Sequence, residues 1–525
     1  MTQMPLVQII VAGVILGLSI AFIYISDRSA KKVKSVADFL SFGQANVKKL
    51  ERAFESSNAS FLTSFVSLFS FSLLLGWSSF WIPIGFCIGI LVFNYFFLKR
   101  MMPYLIRGIK YPRVIGDICG SNRIRIFVAI FSVINIWLFT FSELQGFHLF
   151  VVSFFNNSGI VSYLFPLFLV IVVALYTSKG GYRAVVDTDT LQMTFIYLLV
   201  LSVVFFLIKN LYLANIEISK IEVTSFITSN TIPFAISTIF GFLFSQILYY
   251  DNWQRLAYFL VNKAKMDGVE ITNINKLESH SFFLDGVSKI RKAYNIGAIA
   301  LIIIYSVPIV LGNLSYSAGI VDENLNSISQ LASLFSSMNV DFNTLSGILN
   351  LLILVSLFLG FFSALISTTD TYIIAITSLL TEDILQTFKE EDRFQTDSVN
   401  SKASLSALRI ITIIVSLSLY PLLYVETDFT NLFPFIFYSV NGLVGPVVLI
   451  LLGRKVSSYS VLLSSLFCFA YTYLFIYKHA LDTFLDNTIL ESILSPGTFN
   501  IIFSLIISYV GSSKSLNNHI YGTTS

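Results

Sequence analysis

The sequence predicts an all-α integral membrane protein of about 13 transmembrane helices, and three observations carry that expectation. Hydrophobic residues make up 55% of the 525 positions, charged residues only 12%, and the mean hydropathy is +0.78. A soluble fold carries about 25% charge, so much of the solvating surface is missing. Apolar runs of the roughly 20 residues that a bilayer-crossing helix needs recur along the whole chain. When loops are alternated across a membrane, 30 of the 33 Lys and Arg residues fall on one side, which is the asymmetry that orients membrane proteins. The net charge of +3 is too small to imply a nucleic-acid partner.

The spans follow in order. Leu6 to Ile25 lacks a basic n-region and an A-x-A site and has too long an apolar core for a signal peptide, so it is expected to remain as an extra N-terminal helix. Phe61 to Ser78, Phe80 to Leu98, Ile126 to Phe154, Tyr163 to Tyr176 and Thr190 to Ile208 form a first group within residues 61–208. Pro233 to Tyr250, Ala293 to Leu314, Leu345 to Leu380, Ala407 to Val425 and Phe433 to Leu452 form a second within residues 233–452. Val456 to Tyr477 and Phe499 to Val510 add two C-terminal helices within residues 456–512. With this count only Lys209, Lys220 and Lys478 lie on the less basic side. The N-terminus is therefore expected outside and the C-terminus in the cytoplasm, in a multi-pass protein of the cell membrane. An error in the count would move every later loop to the wrong face and blur the split.

Residues 1–525 are expected to form a single transmembrane domain. The polar stretches around Arg28 to Arg52, Asn262 to Lys292 and Glu382 to Lys402 are too short for a core of their own. Cys87, Cys119 and Cys468 are isolated, which supports neither a disulfide framework nor a zinc site.

Interruptions of the apolar pattern point to function, because a helix broken near the membrane midplane frees carbonyls that can bind a cation. Ser70 to Ser78, with Gly76 and Trp77, is one such place, and Gly241 to Gln246 is another five spans later. Two five-helix halves, each opening on an interrupted helix, would follow. Close helix packing through small residues is the alternative at each place.

The ninth span concentrates polar groups from Ser363 to Thr371. Ala364, Ser367, Thr368 and Thr371 lie on one helical face, and Asp370 stands about 60° from Ser367 at 100° per residue. Hydroxyl oxygens beside a carboxylate suit a small hard cation. An acid in a span costs about 2.5–3.5 kcal/mol on insertion scales, so it is rarely idle. Of the two acids before the sixth span, Asp187 is expected to cap the helix and Asp189 to share an ion pathway with Asp370, both lying toward the cytoplasm. Glu143 is the one acid near the centre of the fourth span; solute contact, proton site and structural hydrogen bond all remain open for it. Asp251 is expected at the interface.

These residues resemble the sodium/solute symporter family, which includes sodium-coupled glucose, proline, pantothenate and sialic acid carriers. Ala37-Asp38-Phe39-Leu40-Ser41-Phe42-Gly43 is similar to the family's D-F-(Y/F)-x-x-G-R signature, with Gln44 in place of the arginine. Gly180-Gly181, Ala184-Val185, Thr188-Asp189 and Gln192 resemble G-G-x-x-A-V-x-x-T-D-x-x-Q. Gln254-Arg255-Leu256-Ala257 resembles Q-R-x-L-A, and Ser363 to Thr371 with Thr381-Glu382-Asp383-Ile384 resembles the family's A-A-x-x-S-(S/T)-x-D-S helix with its T-x-D-I/L tail. Four matches in order span nearly the whole chain.

The resemblance implies two inverted five-helix repeats of the LeuT type, alternating access and sodium coupling. It implies sodium at the carbonyls of Phe71, Leu74 and Ala364 and the hydroxyls of Ser367 and Thr368, and a second sodium or ion pathway at Asp189, Asp370 and Thr371. Gly76, Trp77, Glu143 and Gln246 are the expected solute contacts. Leu73 stands where proline carriers have an acid. No arginine is expected inside a span.

The expected function is thus a sodium-coupled secondary active symporter importing a small polar organic solute of the amino acid, sugar or carboxylate class. It would need no cofactor beyond Na+ as coupling ion, lie among membrane lipid and work as a monomer. A proton-coupled carrier and a transporter-like sensor are the alternatives; a sensor would need a separate output partner. An enzyme finds no support, since His148, His280, His479 and His519 are scattered and neither G-x-S-x-G nor H-E-x-x-H occurs.

Overall fold

The computed structural model describes residues 4–40, 62–155, 159–213, 231–268, 281–317, 327–385, 401–425, 429–478 and 494–513. Ser41 to Gln44 of the first motif, Phe61, Lys220, His280, His479 and His519 lie outside the described residues. In chain order the helices are α1 (Met4–Ala30), α2 (Val36–Leu40), α3 (Leu62–Leu75), α4 (Trp81–Val92), α5 (Leu98–Leu105), α6 (Tyr111–Cys119), α7 (Asn122–Phe154) and α8 (Gly159–Leu213). They continue as α9 (Ile232–Leu243), α10 (Ser245–Leu248), α11 (Tyr250–Met266), α12 (Ser281–Ser317), α13 (Ser327–Ser336) and α14 (Leu345–Ser378). The last are α15 (Ser401–Leu417), α16 (Phe429–Ser439), α17 (Val444–Leu451), α18 (Ser458–Lys478) and α19 (Pro496–Val510). One short antiparallel pair, β1 (Lys455–Val456) with β2 (Ser512–Ser513), ties the ends of the last hairpin.

The chain is a multi-pass integral membrane protein of the all-α class, with 10 helices long and apolar enough to cross a bilayer among the described residues. That number differs from the 13 expected partly because α19 is shorter and partly because two runs are too long for one crossing. Ser64–Leu105, at 42 residues, would measure about 63 Å if straight. It reverses instead. Ser64 meets Tyr305 and Ser72 lies against Gly312, so α3 runs parallel to α12; Phe86 meets Tyr305 edge to face and Phe93 packs on Tyr294, so α4 runs antiparallel to it. Gly76, at φ 58°, opens the turn, a backbone region that glycine enters without strain. In α8 the reversal sits at Gly181 (φ 55°, ψ −152°), and the hydroxyls of Tyr176 and Thr188 meet, though a straight helix would hold them about 18 Å apart.

Burial follows lipid and core. α1 buries Val7, Val11, Ile15, Leu18 and Phe22 on one stripe and presents Leu6, Ile9, Leu16, Ile20 and Tyr24 outward, as a helix at the lipid boundary does. α14 is central: every residue from Gly360 to Ser378 is buried. Its polar stripe therefore cannot be a solvated face.

The Lys/Arg-rich end is locked by buried ion pairs. Arg125 at the start of α7 donates from Nε (2.9 Å) and Nη2 (2.6 Å) to Asp383 Oδ1 and from Nη2 to the Glu382 carbonyl (2.9 Å). Lys110 pairs with Glu382 and donates to Ser378 Oγ at 3.0 Å. Burial acts to lower its ammonium's pKa, but Glu382, with Tyr250, Tyr258 and Asp383, outweighs that and holds the group above the ordinary lysine value.

Candidate functional site

Two helices build the site. The second arm of α8 runs antiparallel to α14: Asp189 faces Ser367, and Gly360 lies against the Phe195 carbonyl and Leu199. Ser367 Oγ donates to Asp189 Oδ1 at 3.5 Å. Thr371 Oγ1, one turn further along the stripe, donates to the Ser367 carbonyl at 3.1 Å and lies 3.3 Å from Asp370 Oδ1. The Tyr176 hydroxyl, 3.2 Å from the Ala184 carbonyl, faces Asp370 from the first arm of α8. Asp189 is 2% exposed and Asp370 0%, and Asp370 Oδ2 has no hydrogen-bond partner.

A buried acid oxygen left without a donor is costly. The surrounding groups are themselves mostly oxygens, so the seam presents an acceptor-rich lining suited to a small hard cation. The same register puts Ser363 level with Gln192. Both are wholly buried, and Ser363 Oγ and both polar atoms of the Gln192 amide lack partners.

Thr368, on the adjoining face of α14, donates to the Ala364 carbonyl at 3.1 Å. Phe71 and Leu74 are not brought to this place. The expected break at Ser70 to Ser78 is the end of a regular helix: α3 continues through Leu75, and the chain then turns at Gly76. Ser70 and Ser72 bond back to the carbonyls of Val66 (2.9 Å) and Phe69 (2.6 Å), so their hydroxyls serve the helix and mark no opening. α3 and the antiparallel α14 touch at Phe65 and Phe361, with ring centroids 5.0 Å apart. Phe71 lies six residues from that contact toward one end and Ser367 six toward the other, a separation of about 18 Å along the bundle. Phe71 packs instead on Phe234 and Phe433, and Leu74 is 66% exposed.

The second expected interruption is present. The helix stops at Leu243, resumes for Ser245–Leu248, and restarts at Tyr250. Its loosened carbonyls are satisfied by side chains: Phe242 by Ser245 Oγ (2.8 Å), Gly241 by Asn441 Nδ2 (3.3 Å) and Ile247 by Trp253 Nε1 (2.8 Å). Gln246 accepts from Asn252 Nδ2 through both its carbonyl (3.2 Å) and Oε1 (2.8 Å). Glu143 is 0% exposed and acts electrostatically on Tyr305 and Tyr372. Gly76 and Trp77 sit in the α3–α4 turn, where Trp77 stacks on Phe80 at 6.0 Å. Gly76 and Trp77 thus share one turn, while Glu143 lies in α7 and Gln246 in the short α10.

Arg255 is the residue that sequence reasoning placed wrongly. It lies inside α11, is 5% exposed, and donates from Nη2 to Thr371 Oγ1 at 2.7 Å. Hydropathy ended the seventh span at Tyr250, where a new helix starts and runs to Met266. The Gln254-Arg255 motif was the available signal.

No protein-family model and no curated protein matches the sequence. Solved structures do. A Na+-coupled sialic acid symporter in a substrate-bound outward-open state matches with TM-score 0.64 at 15% identity, over 97% of this chain and 99% of that one. A manganese transporter of Eremococcus coleocola matches with TM-score 0.53 at 12% identity, over 91% and 99% of the two chains. The same transporter bound to an aromatic bis-isothiourea compound matches with TM-score 0.52 at 12% identity, over 88% and 94%. At these identities the likeness shows the fold, one that these transporters share.

Proposed function

We propose that the chain is a sodium-coupled secondary active symporter that imports a small polar organic solute by alternating access. The observation that carries this reading is the buried meeting of Asp189 with the Ser367–Thr371 stripe, where Asp370 Oδ2 is left without a donor. In this reading Na+ is held by the Ala364 carbonyl and the Ser367 and Thr368 hydroxyls. Asp189, Asp370 and Thr371 form a second sodium position or the path toward it. The Lys/Arg-rich end faces the cytoplasm of the cell membrane, with the N-terminus outside. The fold shared with a sodium-coupled symporter supports the assignment of the coupling ion. A soft transition-metal cargo is less well matched, since such ions favour nitrogen and sulfur donors, whereas manganese also takes oxygen ligands. Among the described residues, no group of three or more His, Cys, Asp or Glu side chains gathers for a metal.

One observation favours a second reading, proton coupling: the seam buries two carboxylates, Asp189 and Asp370, either of which could carry a proton in place of a metal ion. Reconstituted vesicles separate the two. A solute first found by thermal-shift screening of amino acids, sugars and carboxylates is expected to accumulate under an inward sodium gradient. Accumulation under a pH gradient with no effect of sodium would select the proton reading. Binding without accumulation under either gradient would sink both and leave a sensor.

A further inference from the structure

We propose that Arg255 is a resident cation of this site, competing with the incoming monovalent ion and so setting how weakly that ion is held. The inference rests on the sodium reading above and adds a residue to which that reading gives no role. Arg255 is nearly fully buried, and its guanidinium is placed by the 2.7 Å bond to Thr371 Oγ1. Three carboxylates act on its charge: Asp251 on its own helix, Asp189 on α8 and Asp370 on α14. Asp370 Oδ1 lies 3.3 Å from the same Thr371 hydroxyl, and Asp370 Oδ2 remains unpartnered. A positive charge arriving at that oxygen would lie in the field that Arg255 already occupies.

The competition has two parts. Thr371 Oγ1, an expected ligand of the ion path, turns a lone pair toward the arginine, so a metal ion approaching that oxygen must displace or share the bond. Two cations held by the same buried acids also repel through a medium that screens them far less than water. A symporter must release its ion as well as bind it, and a fixed internal cation weakens the hold without removing any ligand. Arg255 rides on α11, beyond the interruption between Leu243 and Tyr250. Movement of that arm would carry the competitor away from Thr371, and the arm's position and the ion's affinity would change together.

The test is sodium titration of the purified full-length protein, read by thermal stabilisation and by binding of radioactive sodium, with choline chloride holding ionic strength constant. Arg255→Gln is expected to bind sodium at least about tenfold more tightly than the unsubstituted protein. Arg255→Met is expected to do the same and serves if the glutamine variant is not recovered folded. Arg255→Lys, which keeps the charge, is expected to stay within about threefold of the unsubstituted protein. Unchanged or weaker sodium binding in the neutral variants, while the unsubstituted protein responds to sodium, overturns this inference alone. So does a Lys variant that tightens as much as the neutral ones. An unsubstituted protein that sodium neither stabilises nor binds overturns the sodium reading and this inference with it.

Discussion

Ser367 donates a hydrogen bond to Asp189 at 3.5 Å, although 178 residues separate them. The long first bond of the seam is the geometry of two groups that share a neighbourhood more than each other. Removing the charge should therefore do more than removing the hydroxyl. Asp189→Asn is expected to abolish or strongly weaken stabilisation by sodium while leaving the protein folded, because the amide keeps the shape. Sodium-dependent melting of the detergent-solubilised protein measures it, and undiminished stabilisation would remove Asp189 from the ion path.

The Arg125–Asp383 pair should behave as a buried salt bridge whose partners cannot be separated cheaply. Each is 3% exposed. Asp383→Asn or Arg125→Gln is expected to cost about 3–5 kcal/mol, since each leaves a buried charge unpaired. The double variant should cost less than the sum. Thermal denaturation of the four proteins gives the coupling, and strict additivity would mean that the pair contributes no interaction of its own.

At Gly181 both conformation and space are committed. Its φ of 55° disfavours any side chain, and a Cβ there would stand 2.9 Å from Phe39 Cγ. Gly181→Ala is expected to destabilise by about 1–3 kcal/mol from backbone strain alone. An unchanged melting temperature would show that the reversal between the two arms of α8 tolerates another backbone conformation.

Gln192 offers a way to tell a functional polar group from a structural one. Its buried amide has no partner, so Gln192→Leu should leave stability unchanged or raise it by about 1 kcal/mol. Transport should fall if the amide serves a passing ion or water. A variant that loses stability would instead mark a structural role.

Much of this architecture was legible because a bilayer punishes exceptions. Apolar runs marked the membrane helices, and the spacing of Ser367 with Thr371 announced a buried stripe before any contact was known. The interruption at Gly241 to Gln246 was readable for the same reason. Gly76 was not, because glycine among serines marks both a broken helix and a turn between two helices. Only the packing of α3 and α4 in opposite directions on α12 tells the two apart. Arg255 escaped because hydropathy cannot distinguish a polar residue turned into a protein core from one in water. Its partners Thr371, Asp189 and Asp370 lie on helices far away in sequence.

The most direct test is a sodium titration of Ser367→Ala and Thr368→Ala, read by the concentration that half-saturates thermal stabilisation and solute uptake. Each lost oxygen is expected to raise that concentration about 5- to 30-fold, the equivalent of roughly 1–2 kcal/mol. Neither variant should gain a dependence on pH. Sodium curves that superimpose on that of the unsubstituted protein in both variants would mean that the ion binds elsewhere.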